Sequence, residues 1–595
     1  MSLLPSLRPL RALRAACAGA RAHAGLLALA LPCLLACAAS LRAGEPEAPG
    51  LLPIPFDRYR DQQGLESALR ALHAAHPRDT ALVSMGSSRE GRALWVLKVF
   101  DGSAGDPDRK PAFYVDGNTH GNEAQSAEVC LFLAQRLLTD PDPWVRALRA
   151  RVTFLVAPCV NPDSRERYMH RAQDENTPRP VLRPVDDDRD GRADEDGPDD
   201  LDGDGHILQM RIADPDGDLV TDERDGRLMR ARKPGERGQW RLLGSEGTDE
   251  DGDGRLNEDP VGGVDPNRNW PGNWRPEHEQ GGAGPYPLSE PETRATALYL
   301  LGLPHLSGVQ SFHNAGRMIL RPPAAFTDRE ADLPGEDKRV LDEVGRRGTV
   351  VLPSYRYMQI REDLYRVFGG FVDWAYMDLG VTAFTNELWG GIGKDLVERG
   401  RAGKPDGEPD EQLAALRFND VALHGRGFAP WKQVPHPRHG TVELGGWLRF
   451  TTRSDPPEFL HETCARNTMF VLDHADQLPE LVVEAQRLPE GGVRVVVENR
   501  RTLPTVHAMA QRHGVLPPDR VRLPGTRLRA AVREGPSDPE PVEVQGDAAL
   551  LPRGVGGHGR VVLRLYPEGP AAEVHVESRV GGRVAAPVRG AGAGR

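Results

Sequence analysis

Cysteine is scarce in this chain: six in 595 residues, with Cys17, Cys33 and Cys37 all inside the first forty. The other three, Cys130, Cys159 and Cys464, allow one bridge at most, so disulfides are not the main staple of the fold. No Cys-x-x-Cys pair exists, which removes the usual thiolate zinc site. Positive charge is also in deficit: 75 Lys and Arg against 87 Asp and Glu give a net charge of -12. That argues against a nucleic-acid partner, which needs a basic stripe to displace counterions from phosphates. Apolar runs long enough for a stable membrane span are missing too. The longest, Ala24 to Leu41, follows arginines at 8, 11, 14 and 21, the layout of an export signal over residues 1–43. The chain is therefore expected outside the cytoplasm, secreted, periplasmic or held at the envelope. "LLAC" offers a lipid anchor on the Cys37 thiol, although Leu35 suits such a box poorly, and an uncleaved N-terminal anchor is the third reading.

What is present is an ordinary globular composition, 39% hydrophobic and long enough for more than one domain. Residues 54–477 read as one α/β domain. It opens with a helix from Asp61 to Ala75, where Leu65, Leu69 and Leu72 recur at helical spacing. Short apolar runs follow at 93–100, 111–117, 151–158, 307–313 and 380–388. Their continuous rather than alternating apolarity predicts a mixed, mostly parallel twisted sheet covered by helices. Between about 185 and 262 the composition changes to Asp and Gly, an insertion. From 478 to 588, stretches such as "GVRVVVENR" and "GRVVLRLYP" alternate with Gly and Pro turns and predict a separate C-terminal all-β sandwich, with 589–595 a disordered tail.

In "YVDGNTHGNEAQSAEV" the strand pattern ends at Gly117 and a helical one starts after Glu123, which puts His120 and Glu123 in the connecting loop. Three residues apart there, both can point at one ion, giving a nitrogen and an oxygen ligand. The competing reading is a turn histidine with a glutamate serving the helix N-terminus. A catalytic zinc takes three protein ligands and an open position, and His313, at the end of "SGVQSFH", is the natural third.

With "GVDPNRNW" (263–270) and "AFTNELW" (383–389), these motifs stand in an order that resembles the zinc metallocarboxypeptidases of the carboxypeptidase A-like family. "GSSREGRALWVLK" (86–98) and "GPYPLSEPETRA" (284–295) are similar to further segments, and the similarity runs over residues 54–477. The resemblance implies one zinc ion on His120, Glu123 and His313, with Asp265 orienting the first histidine. It implies that Asn267 and Arg268 grip a terminal carboxylate, which a planar guanidinium suits. Tyr365, in "YRVFGGFVDWAY", matches a mobile tyrosine over the bound C-terminus, and Val372 the floor of the specificity pocket. An apolar floor disfavours strong Lys or Arg selectivity. Glu387 matches the general base that takes a proton from the attacking water and returns one to the leaving amine.

The Asp-rich insertion stretches the spacing between the second and third ligands, and the arginine that polarises the carbonyl falls in the disturbed region. Arg211, in "HILQMRIADPDG", is the candidate, ahead of Arg165, Arg167 and Arg171. The insertion carries three D-x-D-x-D-G cores: Asp186, Asp188 and Asp190; Asp200, Asp202 and Asp204; Asp249, Asp251 and Asp253. Such loops curl around a hard cation and point to structural Ca2+, although glutamate falls at position ten rather than twelve; the bland reading is a solvated acidic loop. Ala315, beside the third ligand, leaves the pocket more open. The expected activity is exported, zinc-dependent removal of C-terminal residues from peptides or proteins with a free C-terminus. Hydrolysis of cell-wall peptides or N-acyl amino acids by the same chemistry is the near alternative, and a non-catalytic, calcium-stabilised binding protein the distant one.

Overall fold

The computed structural model describes residues 53–187, 189–391, 411–535 and 539–590. The expected export signal with Cys37, Asp188, and residues 591–595 of the expected tail lie outside them. The first helix, α1 (Gln62–Ala75), starts where Asp61 accepts the Gly64 N–H at 2.7 Å, and it buries Leu65, Leu69 and Leu72 as one stripe.

That stripe lies under an eight-stranded sheet: β1 (Thr80–Ser87), β2 (Ala93–Val99), β3 (Ala112–Asp116), β4 (Thr153–Ala157), β5 (Leu306–Asn314), β6 (Met318–Arg321), β7 (Arg356–Gln359) and β8 (Thr382–Leu388). Their order is β1-β2-β4-β3-β5-β8-β6-β7. The central run β4-β3-β5-β8 is parallel, and antiparallel pairs occur at β1/β2, β2/β4 and β6/β8. Every residue of β3, β4 and β5 is buried, which is why those segments read as continuous apolar runs. Helices α2 (Ala124–Thr139), α3 (Gly335–Val351) and α4 (Pro457–Asp476) cover the sheet, α4 packing on both others. Phe113, Phe154, Phe384 and Phe470 fill the layer between, each fully buried and each stabilising by about 2 to 3 kcal/mol. Cys130, Cys159 and Cys464 are buried free thiols, and burial pushes Cys159 up to about 12.

The Asp-rich insertion is not only loop. Its strands 209–213, 219–221, 229–231 and 240–245 join the distant hairpin 428–436 and 440–447 in a six-stranded antiparallel sheet, with Leu208, Met210, Val434, Val442 and Leu444 as its core. The C-terminal strands form a ten-stranded sheet, and Val495, Leu563, Val521 and Val576 from its two halves share one core. Alternating burial along 493–499 and 560–567 matches the period-2 pattern of the sequence. The last strand runs to Arg589. Leu503, Met509 and Val580 from this region also enter the main core. Among the described residues no helix is long and apolar enough to cross a membrane.

Candidate functional site

The C-terminal ends of the parallel strands meet at one cleft, where sites collect in sheets of this kind. After β3, the chain turns through Asn118, whose side-chain amide donates to the carbonyls of His120 (2.6 Å) and Gly121 (3.1 Å). Gly121 has no room for a side chain: a Cβ there would lie 2.2 Å from Cβ of Ser164. The turn presents His120 and Glu123 together. Glu123 stands at the N-cap position of α2, yet its side chain makes no cap hydrogen bond. It points instead at the histidines, with Oε1 at 2.9 Å from Nδ1 of His120 and Oε2 at 3.1 Å from Nδ1 of His313. The two Nδ1 atoms are 3.2 Å apart.

All three residues are sealed from solvent. Nε2 of His120 lies 3.1 Å from Asp265; a proton there donates to the carboxylate and leaves the Nδ1 lone pair facing the other ligands. Two nitrogen lone pairs and a carboxylate aimed at one buried point repel each other unless a cation sits between them. This two-nitrogen, one-carboxylate set fits zinc. Burial alone would raise Glu123, but His120 and His313 hold it well below the usual carboxylate range. Asp265 behaves likewise, burial opposing while His120, Arg268 and Arg179 hold it low.

Parallel pairing sets His313 of β5 directly beside Glu387 of β8. Burial, partly offset by His313, pushes Glu387 up to about 7. The cleft between them, about 400 Å³, is also lined by Asn267, Arg268, Tyr365 and Val372. The Asp265 turn fixes the first two: Oδ1 of Asp265 accepts the Asn267 N–H at 2.7 Å, and Oδ1 of Asn267 accepts the Phe371 N–H at 2.9 Å. Gly369, with φ of +65°, lies so close to the Arg268 carbonyl that a Cβ would approach it to 2.2 Å. Tyr365 is 57% exposed at the rim, whereas Val372 is buried at the wall. Ala315 lines the cleft as well.

The expectation for Arg211 is overturned. Arg211 lies in the six-stranded sheet, not in the cleft; its guanidinium is clamped between Trp240 and Trp431, 3.9 Å from each ring, and paired with Glu443 at 2.7 Å. Among its competitors, Arg165 is fully buried and braces the metal turn, donating to Asn118 Oδ1 at 2.6 Å and the Ala124 carbonyl at 3.0 Å. Arg167 and Arg171 do not line the cleft. Beside Arg268, the arginines that do are Arg179 and Arg453, neither of them expected from the sequence. Arg179 reaches Glu123 at 3.0 Å and Asp265 at 3.4 Å. Burial opposes its charge, but Glu123, Asp265, Glu387 and Tyr365 raise it. Arg453 donates to the Asn314 carbonyl at 2.9 Å and reaches Glu123 at 3.3 Å. Its loop is held by Glu175, whose Oε1 accepts the N–H groups of Thr451 (2.9 Å) and Thr452 (3.0 Å). Arg179 stands just before the change of composition, so the chain visits the cleft before the insertion departs rather than after it returns. That position in "TPRPV" was the available signal.

In each Asp-rich core the first carboxylate accepts the N–H of the glycine at position six: Asp186 from Gly191 (3.1 Å), Asp200 from Gly205 (2.8 Å) and Asp249 from Gly254 (3.1 Å). The carboxylates of Asp200, Asp202 and Asp204 converge; Asp249 and Asp251 converge with Asp196, and Asp251 and Asp253 with Glu258. The Asp186 loop gathers no such group among the described residues. Burial, then Asp202 and Asp200, pushes the nearby Glu246 up to about 8.

A zinc carboxypeptidase family model matches residues 65–195 and 206–396, more than half of the chain. Carboxypeptidase A2 of Rattus norvegicus is 23% identical over 347 residues, covering 56% of this chain and 63% of that protein. Carboxypeptidase D of Mus musculus is 37% identical over 130 residues, 19% of this chain and 9% of that one. The chain thus spans less than two thirds of the length of either relative. A metallo-carboxypeptidase structure from Burkholderia cenocepacia aligns at 13% identity over 70% of each chain with a TM-score of 0.34. With the family model spanning both ligand turns and the Glu387 strand, the chain belongs to the zinc carboxypeptidase family.

Proposed function

We propose that this protein is an exported, zinc-dependent carboxypeptidase that removes C-terminal residues from peptides or proteins. The observation that carries the reading is the pairing of His313 with Glu387 across β5 and β8, opposite Asn267 and Arg268 in one cleft. His120, Glu123 and His313 would hold the zinc, which when bound supplies a Lewis acid that acidifies water and polarises the scissile carbonyl. Asn267 and Arg268 take the terminal carboxylate, fixing which bond lies at the metal corner. Val372, Leu320, Ile360 and Val367 line the cleft for an apolar terminal side chain. Glu387 accepts the proton of the attacking water and passes one to the leaving amine; a value near 7 suits both duties. Arg179 takes the role first given to Arg211, its fixed charge facing the developing oxyanion. Tyr365, exposed at the rim, covers the bound terminus. Export, with Cys37 as an alternative lipid anchor, is supported by the arginine-then-apolar layout of the first residues.

Free and C-terminally amidated peptides, with and without a zinc chelator, test the reading alongside Glu387→Gln. Cleavage of the free peptides alone, lost with chelator and in the variant, is expected. Equal cleavage of the amidated peptides would remove the carboxypeptidase assignment, and metal-independent cleavage would remove the zinc.

A further inference from the structure

Glu246 is out of place for a carboxylate. It lies at the end of the 240–245 strand, fully buried, and neither of its oxygens has a hydrogen-bond partner. A buried charge without a partner is unfavourable, so either a proton or a cation must neutralise it. Its backbone closes the base of the second Asp-rich loop: its carbonyl accepts the Asp199 N–H at 3.1 Å, and its N–H donates to the Leu208 carbonyl at 2.9 Å. The charges that act on it are those of Asp202, Asp200 and Asp204, whose own carboxylates converge. Among the described residues the one ion pair to this group comes from Lys432, 3.0 Å from Asp202 and itself largely exposed.

From this arrangement we infer that Asp200, Asp202, Asp204 and Glu246 form a structural calcium site, in which a glutamate from a neighbouring strand replaces the one the loop lacks at position twelve. The three aspartates already converge and give one oxygen each; Glu246, turned onto the ion, would add two and make five. The carbonyl of His206 at position seven and water complete the six to eight oxygens that Ca2+ takes. An all-oxygen, multiply charged set suits a hard cation and leaves zinc to the nitrogen-bearing corner. The site also has a structural address. His206 bridges to Gln173, the Ile207 N–H donates to the Gln173 carbonyl at 3.4 Å, and Arg449 ties Gly205 to the Arg171 carbonyl. The bound ion would thus brace the run from 171 through Glu175 to Arg179. The site does not depend on the peptidase reading, because it uses none of that machinery.

The test is calorimetric titration of the full-length protein with CaCl2 after EGTA dialysis in zinc-buffered solution, with thermal melting beside it. Wild type should bind calcium and melt several degrees higher, with a smaller gain from Mg2+. Glu246→Gln should take up one ion fewer or bind about tenfold more weakly, since ligand charge sets affinity in such loops. Lys432→Ala should bind more tightly, because it frees Asp202. Identical uptake and affinity in wild type and Glu246→Gln would overturn the site, as would no uptake by wild type. Should Glu246→Gln fail to fold, Lys432→Ala decides: tighter binding supports the site, and unchanged or weaker binding overturns it.

Discussion

In the proposed reaction Glu387 has to be an anion when water attacks, yet burial favours its neutral form. Its pH dependence therefore has a definite sign. The acid limb of kcat/KM should fall as pH drops below about 7, and a bound zinc would move that limb lower by favouring the charged form. A profile flat from about pH 8 down through the ordinary carboxylate range, about pH 4, would show that this carboxylate is not the base. Glu387→Gln keeps the shape and loses the proton transfer, so kcat should drop by about 10³-fold with little change in KM. Arg179→Ala should cost about 10²- to 10³-fold in kcat. If Arg453→Ala has the larger effect instead, the oxyanion role belongs to the loop held by Glu175. Of these residues, His120, Glu123, His313 and Glu387 could be placed at or after strand ends from the apolar runs, but their roles came from the order of motifs that resembles the zinc carboxypeptidase family, since each alone reads as an ordinary turn or core residue. Arg179 could not be placed, because "TPRPV" carries no periodicity, and its value comes only from contacts with Glu123 and Asp265 far along the chain.

Among the elements, the strands of the main sheet were the most legible. Segments buried on both faces carry uninterrupted apolar runs, and β2, β3, β4, β5 and β8 fall where those runs predict, within one or two residues. The six-stranded sheet was illegible because three of its five core residues, Val434, Val442 and Leu444, lie more than two hundred residues after the other two, Leu208 and Met210. Its strands are short, and Asp-Gly loops mask their pattern. Arg211 illustrates the cost of that gap: the sequence shows a lone basic residue after an apolar run, whereas the sheet makes it a clamp between two indoles and Glu443. Arg211→Met removes the cation and strands Glu443. It should therefore lower unfolding stability by about 3 kcal/mol, as breaking a buried pair does, while kcat per folded molecule stays unchanged. A loss of kcat with unaltered stability would return Arg211 to the catalytic machinery.

For the whole molecule, the seam between the α/β domain and the C-terminal sheet sets how it unfolds. Asp337 of α3 is buried there and accepts from the N–H groups of Ala508 (2.9 Å) and Met509 (2.8 Å) and from the Tyr376 hydroxyl (2.8 Å). Burial opposes its charge, but His507 and these donors bring it down to about 2. A depressed carboxylate contributes stability above its unfolded value, lost as pH falls through the folded one. Asp337→Asn should thus destabilise by about 2 kcal/mol at neutral pH, a penalty that shrinks between about pH 4 and pH 2. Since Leu503, Met509 and Val580 also enter the main core, calorimetry should show one unfolding transition, and a chain ending at 477 should aggregate. Two separate transitions would make the sandwich an independent module. The buried thiols extend this point. Cys130, Cys159 and Cys464 lie in that shared core, with no disulfide to make and, at Cys159, almost no thiolate at neutral pH. An alkylating reagent can reach them only when the core opens, so their labelling rate is a clock for global opening, readable without a single engineered probe.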